Sequence, residues 1–409
     1  MDFPSLALAL SSEGSSIPFS MLIVFGCAKL AAEIAERLKQ PGIVGEIIAG
    51  VVIGPSVLGW IQPNDLLKTL AELGVMFLLF RVGLEVKASE LMRVGGRAAL
   101  VALLGVVVPF FLGWGIMSVW GFPNLDGIFM GAAMVATSVG ITAGVLQAKG
   151  MLQKTASQII LAAAVIDDVL GLLVLAVVSS MARDQINVVE IATTAVLAAG
   201  FVIIVAKWGT KAAGLAMRRF VHRMRLGEAE FSLSMVVLFA CSLLAVYAGV
   251  AAIVGAFLAG MALSGTVDRR VQDLAHGATE LLVPFFLAGI GLHVDLSAFR
   301  NGETVLLALV IIAAAVASKF VGCGLGALGL GRTDILRIGI GMVPRGEVGM
   351  VVAQIGLAMG AVSGPTYGVV VAMAVATTLV APPLLALAYR GADRPGPPPT
   401  SAFAGTANG

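Results

Sequence analysis

The sequence predicts an all-α polytopic membrane protein, and three observations support this prediction. Of the 409 residues, 59% are hydrophobic and only 12% are charged, whereas about a quarter of the residues in a soluble domain are charged. The mean hydropathy is +1.00. Glycine occurs 50 times and aromatic residues make up 6% of the chain, a composition typical of helices that pack closely through small residues in lipid.

Apolar runs of the length needed to cross a bilayer, about 20 residues, recur along the chain between charged, proline or glycine breaks. The pattern predicts about 13 transmembrane helices. These spans lie at about 17–37, 42–61, 65–84, 97–120, 124–147, 155–182, 188–207, 229–248, 250–264, 280–293, 303–329, 335–358 and 365–389.

Basic residues divide unevenly between the two sides that these spans create. With the N-terminus outside, nineteen Lys and Arg residues fall on one side and only Lys68, Arg183 and Arg300 on the other. Basic residues accumulate on the cytoplasmic side, so we expect the C-terminus in the cytoplasm. The basic segment 207–225 then faces anionic lipid headgroups, and the Pro- and Gly-rich residues 391–409 form a disordered tail.

An internal repeat relates the two halves of the chain. Residues 77–91 resemble residues 285–299 at an offset of 208, and residues 44–54 resemble residues 254–264 at an offset of 210. Each offset crosses seven predicted spans. Because seven is odd, the two copies must lie in opposite orientations in the membrane, as they do in many secondary transporters.

We therefore predict two inverted six-helix repeats, at about 17–182 and 229–389, separated by a linker helix at about 188–207. The fifth and twelfth spans contain the segments VATSVGITAG (135–144) and GMVPRGEVG (341–349), whose glycines and proline disturb a regular helix. The two segments occupy equivalent positions in the repeats. Irregular backbone at membrane depth must be buried in protein or line a cavity, so we expect two crossed discontinuous helices near the midplane.

Two adjacent aspartates, Asp167 and Asp168, lie in an apolar predicted span. A charge at the bilayer centre costs about 3 kcal/mol on insertion scales, so we interpret the pair as an ion or proton site rather than as a structural hydrogen-bond network. Lys319, also at membrane depth, is the candidate partner. Consecutive helical residues point about 100° apart, so one aspartate can face Lys319 while the other faces a hydrated cavity.

The same region offers oxygen ligands for a monovalent cation. We predict Asp168, Asp167 and Thr137 as ligands of Na⁺, since hard cations prefer oxygen. Lys319 and Ser138 complete the predicted ion- and proton-binding set. A carboxylate that holds a proton cannot hold a cation, so the two ions compete for coupled groups.

The second interrupted span carries its own charges, Arg345 and Glu347. We predict that Glu347 neutralises the positive ends of the half-helices, with Arg345 as its counter-charge. The alternative is an ion pair that only locks packing. Glu46 could equally line a cavity or an interface, and the roles of Glu72 and Arg81 are left open.

Several motifs occur together and in a fixed order. They are QPGIVGEIIAGVVIGPSVLG (40–59), FRVGLEV (80–86), ATSVGITA (136–143), VIDDVLG (165–171), the isolated Lys319 and GMVPRGEVG (341–349). On these motifs the chain resembles the monovalent cation:proton antiporter-2 family, and within it the NapA-like electrogenic bacterial sodium/proton antiporters. The resemblance covers nearly the whole membrane region.

The resemblance implies a transmembrane antiporter domain over residues 1–390. Its core domain, at about 97–182 and 303–389, would move like an elevator against a dimerisation domain at about 17–84 and 229–293. The family also implies a homodimer in the bacterial inner membrane, without a cofactor and without a nucleic-acid partner.

The resemblance further implies that Asp168 is the principal ion-binding carboxylate and that Asp167 pairs with Lys319. Related potassium-linked members commonly have glutamine–aspartate in place of this acid pair, and many carry a nucleotide-binding regulatory domain that we do not expect here. Both departures favour electrogenic exchange of Na⁺ or Li⁺ against H⁺, serving pH and sodium homeostasis. Potassium/proton exchange is the nearest alternative.

Two other classes fit the acid pair less well. A bile-acid-type sodium symporter shares the crossed helices, but two carboxylates do not attract an organic anion. An intramembrane aspartyl protease needs carboxylates that face one another from separate segments, which adjacent residues on one helix cannot provide. We therefore predict a transporter and not an enzyme.

Overall fold

The computed structural model describes residues 16–182, 188–220, 228–294, 299 and 301–390. These residues form helices and short connections, and no strand occurs among them. The predicted tail, 391–409, lies outside the described residues. The helices are α1 (Ser16–Arg37), α2 (Gly42–Ile53), α3 (Asp65–Glu85), α4 (Ala88–Val119), α5 (Asn124–Val135), α6 (Val139–Ala148), α7 (Thr155–Ala182), α8 (Val188–Phe220), α9 (Ala229–Tyr247), α10 (Ala252–Leu263), α11 (Arg269–Leu292), α12 (Gly302–Gly326), α13 (Arg332–Gly341), α14 (Glu347–Ala358) and α15 (Gly364–Ala388).

The described part of the chain is that of a multi-pass membrane protein. Nine of its helical stretches are long and apolar enough to cross a membrane by length and composition, with α5 and α6 counted as one stretch. The shorter helices α2, α10 and α14 are also apolar. The prediction of an all-α membrane fold is confirmed.

Three helices extend beyond the apolar spans that the sequence predicts. Helix α4 begins at Ala88 rather than near 97, α8 ends at Phe220 rather than near 207, and α11 begins at Arg269 rather than near 280. The additional turns are rich in charged residues. Hydropathy locates the end of an apolar run, whereas a helix can continue into the headgroup region or into water.

The helices pack in two groups. Helix α4 packs against α5, α7 and α12, while α15 packs against α12, α13 and α14; we call α4–α7 and α12–α15 the first helix group. Helix α3 packs against α10 and α11, while α2 packs against α1 and α11; we call α1–α3 and α9–α11 the second helix group. Helix α8 contacts α10 of the second group and α7 of the first. Contacts between the groups run through α3 with α6 and α2 with α15.

Glycines allow the helices of the second group to pack backbone against backbone. A Cβ atom on Gly50 of α2 would overlap the carbonyl oxygen of Ala288 on α11. Likewise, a Cβ atom on Gly260 of α10 would overlap the carbonyl oxygen of Phe80 on α3. Small residues at such crossings give the close van der Waals contact that holds helices together in lipid.

Candidate functional site

Lys319 lies at the centre of the first helix group, on α12, and its side chain is fully buried. Its Nζ atom donates to Asp167 Oδ1 at 2.9 Å and to the carbonyl oxygens of Gly105 and Val135, both at 2.8 Å. An ammonium group has three donors, and all three are used. The predicted contact between Lys319 and Asp167 is present.

The two carbonyl oxygens that accept from Lys319 are free because of local interruptions. In a regular helix the carbonyl oxygen of Gly105 would accept a hydrogen bond from the backbone N–H four residues later. That residue is Pro109, which has no N–H. Val135 is the last residue of α5, and the final carbonyls of a helix have no partner within it. Sequence reasoning missed Gly105 and Pro109, although a proline inside an apolar span is a visible signal for a free carbonyl.

Gly105 also lets α12 approach α4. A Cβ atom at this position would lie 2.6 Å from Cys323 Sγ and 3.5 Å from Lys319 Nζ. Cys323 lies one turn beyond Lys319 and is itself fully buried. The glycine therefore determines how closely the lysine ammonium can approach the backbone of α4.

The two aspartates of α7 point to different parts of the molecule. Asp167, 1% exposed, faces Lys319 inside the first helix group. Asp168, also buried, lines a small void together with Val139 of α6 and with Leu79 and Phe257 of the second helix group. The angle of about 100° between consecutive helical residues accounts for this divergence.

Both predicted helix interruptions are present, and they lie side by side. The first separates α5 from α6 and the second separates α13 from α14. The backbone N–H of Ser138 donates to the carbonyl oxygen of Pro344 at 2.8 Å, and Thr142 Oγ1 donates to the carbonyl oxygen of Gly341 at 2.6 Å. Each interruption thus satisfies backbone groups that the other leaves without a helical partner.

Arg345, in the second interruption, is fully buried. Within the described part of the chain its guanidinium donates to carbonyl oxygens, at 3.2 Å to Ala315 and at 3.5 Å to Ala136. Ala136 directly follows α5, and the C-terminal end of a helix favours a nearby positive charge. Glu347 begins α14, but its side chain lies outside the described part, so its predicted pairing with Arg345 stays a prediction.

Two threonines of α15 satisfy the backbone of Arg345. Its N–H donates to Thr377 Oγ1 at 3.1 Å, and Thr378 Oγ1 donates to its carbonyl oxygen at 2.6 Å. Sequence reasoning assigned no role to these threonines. The internal repeat was the available signal, because its offset of 210 residues makes these threonines the sequence equivalents of Asp167 and Asp168.

Two side-chain oxygen atoms, one in the acid pair and one in the first interruption, are buried and have unused hydrogen-bonding capacity. Asp167 Oδ2 and Thr137 Oγ1 are buried and have no hydrogen-bond partner among the described residues. Ser138 is half-buried, and a Cβ atom on Gly346 would lie 2.7 Å from its Oγ. Carboxylate, hydroxyl and carbonyl oxygens are the ligand types that hard cations prefer.

Comparison with known proteins gives consistent results. The chain is 34% identical to the high-affinity Na⁺/H⁺ antiporter NhaS3 of Synechocystis sp., over 96% of this chain and 95% of that protein. It is 33% identical to the Na⁺/H⁺-K⁺ antiporter GerN of Bacillus cereus, over 92% of this chain and 97% of that protein. A solved structure of the sodium proton antiporter MjNhaP1 from Methanocaldococcus jannaschii matches with a TM-score of 0.69, over 96% of this chain and 97% of that chain.

The structural match has 17% sequence identity and therefore shows the fold alone. The family described as sodium/hydrogen exchanger, transmembrane, matches residues 21–389, nearly the whole chain. The motif-based prediction is thus confirmed at the level of the family, while the narrower NapA-like assignment stays a prediction. The chain belongs to the sodium/hydrogen exchanger family.

Proposed function

We propose that this protein is a secondary active antiporter that exchanges Na⁺ or Li⁺ for H⁺. The observation that carries the proposal is the buried contact between Lys319 and Asp167, next to Asp168 and beside two interrupted helices. The relatives named above as Na⁺/H⁺ antiporters support the same activity. No cofactor is needed, because both transported ions bind directly to side chains and carbonyl groups.

The exchange follows from competition between Na⁺ and H⁺ for a set of coupled groups, the two aspartates and Lys319. A Na⁺ ion held by Asp168 would find further ligands in the unused Oδ2 of Asp167 and the hydroxyl of Thr137. Its positive charge would weaken the attraction between Asp167 and Lys319. The lysine can then release a proton, so that cation binding and proton binding exclude each other. With Asp168 also losing its proton, more than one H⁺ would exchange for each Na⁺, which makes the exchange electrogenic.

Thirteen spans related by an inverted repeat are part of the proposal. Nine of these spans are the apolar stretches described above. The shorter helices α2 and α10 add two, α3 with its charged residues adds one, and α13 joined to α14 adds one, which makes thirteen. Paired glycine contacts support the repeat. Gly50 and Gly260 are 210 residues apart, and the carbonyls that they approach, on Ala288 and Phe80, are 208 apart.

A second pair of contacts supports the same symmetry. Gly45 of α2 approaches the carbonyl oxygen of Ala31 on α1, and Gly255 of α10 approaches that of Cys241 on α9. Both the glycines and the carbonyls differ by 210 in residue number. Such paired crossings are expected when two copies of one helical unit interlock.

We further propose that the first helix group is the mobile core and the second is the dimerisation domain of a homodimer. Asp168 lines a void between the two groups, where sliding of one group along the other would change its access to water. The charge pattern supports an outside N-terminus and a cytoplasmic C-terminus, and the family resemblance supports a location in the bacterial inner membrane. Residues 207–220 of the basic segment, in α8, would then face anionic lipid headgroups.

The test is transport by purified protein in liposomes that hold a pH gradient, followed with a pH-sensitive dye. We expect Na⁺ and Li⁺, but not K⁺, to dissipate the gradient, and Asp168→Asn to abolish the response. Asp126→Asn is the matched control, because Asp126 is also a buried aspartate of the first helix group but contacts Thr366 instead. A response to K⁺ alone would show that the protein exchanges potassium instead of sodium for protons. No response to any cation would refute the proposal.

A further inference from the structure

A second lysine–carboxylate cluster lies in a cavity outside the site described above. The cavity has a volume of about 770 Å³ and is bounded by α1, α2, α3 and α11 of the second helix group and by α6 and α15 of the first. Gly140 and Gly144 of the half-helix α6 form part of its wall. It therefore reaches from the second group to the helix that follows the first interruption.

Within this cavity Lys29 of α1 bridges two carboxylates from different helices. Its Nζ atom lies 3.3 Å from Glu46 Oε1 on α2 and 3.3 Å from Glu280 Oε2 on α11. The side chains of Lys29 and Glu280 are 37% and 56% exposed, whereas that of Glu46 is only 7% exposed. The lysine is thus held loosely, between one buried and one open carboxylate.

The buried position of Glu46 results from close helix packing. Gly45 brings α2 against the backbone of α1 at Ala31, and Gly50 brings it against α11 at Ala288. Glu46 lies between these two crossings. Its Oε2 atom is buried and has no hydrogen-bond partner in the described ranges of the chain. A buried carboxylate oxygen without a donor is unfavourable unless it is neutralised by a positive charge.

We propose that Glu46 and Glu280 form a second binding site for a monovalent cation, which the ammonium group of Lys29 occupies until a Na⁺ ion replaces it. The inference rests on the proposed function and extends it by naming a place where the transported cation is recruited. A lysine ammonium and Na⁺ carry the same charge, and both are bound by carboxylate oxygens. The exposure of Lys29 lets its side chain move into the cavity when the cation enters.

The surroundings of the cluster indicate a weak site. Glu33 and Glu36 add negative charge to the cavity, but Arg81, Lys149 and Arg390 also line it. His276 lies 3.8 Å from Glu280. Binding that is strong enough to concentrate an ion, yet weak enough to release it, suits an entry path. We therefore expect the cluster to influence the apparent KM for Na⁺ rather than the maximal rate.

Binding can be tested without transport. In Asp168→Asn protein, which lacks the proposed main carboxylate, NaCl should still raise the thermal unfolding temperature relative to choline chloride at equal ionic strength. Adding Glu46→Gln should remove this stabilisation. Adding Glu33→Gln should leave it, because Glu33 lines the same cavity but pairs with Arg37 at 2.8 Å. No Na⁺-specific stabilisation in Asp168→Asn, or stabilisation that Glu46→Gln does not change, would refute the second site.

Transport kinetics give an independent readout. In an otherwise unaltered chain, Glu46→Gln should raise the apparent KM for Na⁺ and Lys29→Gln should lower it, each by about twofold to fivefold as expected for a part-exposed ion pair. The maximal rate should stay within experimental error. An unchanged KM in both variants, alongside normal antiport by the unaltered protein, would refute the second site but not the proposed function. Absence of antiport by the unaltered protein would instead refute the proposed function.

Discussion

The two lysine–carboxylate clusters contain the same chemical groups in different surroundings. Lys319 is fully buried, 2.9 Å from Asp167, and its other two donors are satisfied by carbonyl oxygens. Lys29 is partly exposed and lies 3.3 Å from each of two carboxylates. The difference indicates that the solvation of a lysine–carboxylate contact, rather than its residue types, determines how much the contact contributes to stability. Removing one member of a buried ion pair costs about 3–5 kcal/mol, whereas an exposed pair contributes about 0.2–1 kcal/mol.

The clusters also differ in how the fold supports them. The buried cluster depends on interruptions of regular helices, since Pro109 frees the carbonyl of Gly105 and the end of α5 frees that of Val135. The open cluster depends on uninterrupted helices that glycines bring together. A contact built into interrupted backbone is rigid and specific, while one built from side chains in a cavity can exchange its partner.

The largest effect is expected from Asp167→Asn. This change leaves the ammonium of Lys319 buried without a negative partner, so we expect the free energy of unfolding to fall by about 3–5 kcal/mol. The double variant Asp167→Asn/Lys319→Gln should recover part of the loss, because it removes the uncompensated charge. Thermal unfolding in detergent measures both. If the single variant were as stable as the unaltered protein, the contrast between the clusters would fail.

The second largest loss of stability is expected from Gly105→Ala, which tests the close approach of α12 to α4 at the buried cluster. The added methyl group would lie 2.6 Å from Cys323 Sγ, and overpacking of this kind costs about 1–3 kcal/mol. The matched control is Gly115→Ala on the same helix, where nothing lies within 4 Å. Unfolding measurements should also show that Cys323→Ala rescues Gly105→Ala. A control as damaging as Gly105→Ala would point to the helix itself instead of to the lysine site.

Thr378→Val, which alters a contact of the interrupted backbone, should cause a smaller loss of stability. It removes the hydroxyl that donates to the carbonyl of Arg345, at a cost of about 1 kcal/mol for the lost hydrogen bond. Thr69→Val is the control, because the Thr69 hydroxyl also donates to a backbone carbonyl, that of Asp65, but at an exposed position. Equal losses of stability in the two variants, measured by thermal unfolding, would show that the interruption does not need the threonine.

Lys29→Gln should change stability least, by less than about 1 kcal/mol, because water or a cation can replace the ammonium between the two carboxylates. The remaining loss should shrink as NaCl concentration rises, whereas the loss in Asp167→Asn should be nearly independent of salt, since buried pairs are screened much less. Unfolding curves at several salt concentrations distinguish the two. A large, salt-independent loss in Lys29→Gln would remove the distinction between the clusters.

Much of the buried site could be predicted from the sequence. Charged residues inside apolar runs must find partners, so the aspartate pair and Lys319 were recognisable as one site before any fold was known, and the family resemblance implied that Asp167 is the partner of Lys319. The second helix interruption was recognisable from Pro344 and the glycines around it, and the first from its own glycines and its equivalent position in the repeat. The distances that join these features were not predictable, because they depend on how α4, α5, α7 and α12 pack against one another.

The sequence by itself determined the all-α membrane architecture, the interrupted helices and the charges that must be buried, because hydropathy, proline and charge act locally along the chain. Only the tertiary structure decided that Lys319 also binds the carbonyl of Gly105, that Arg345 donates to carbonyl oxygens, and that Glu46 lies in a cavity beside Lys29. The physical reason is that free carbonyls and buried carboxylates acquire partners across helices. Their spacing is set by glycine packing between segments far apart in sequence.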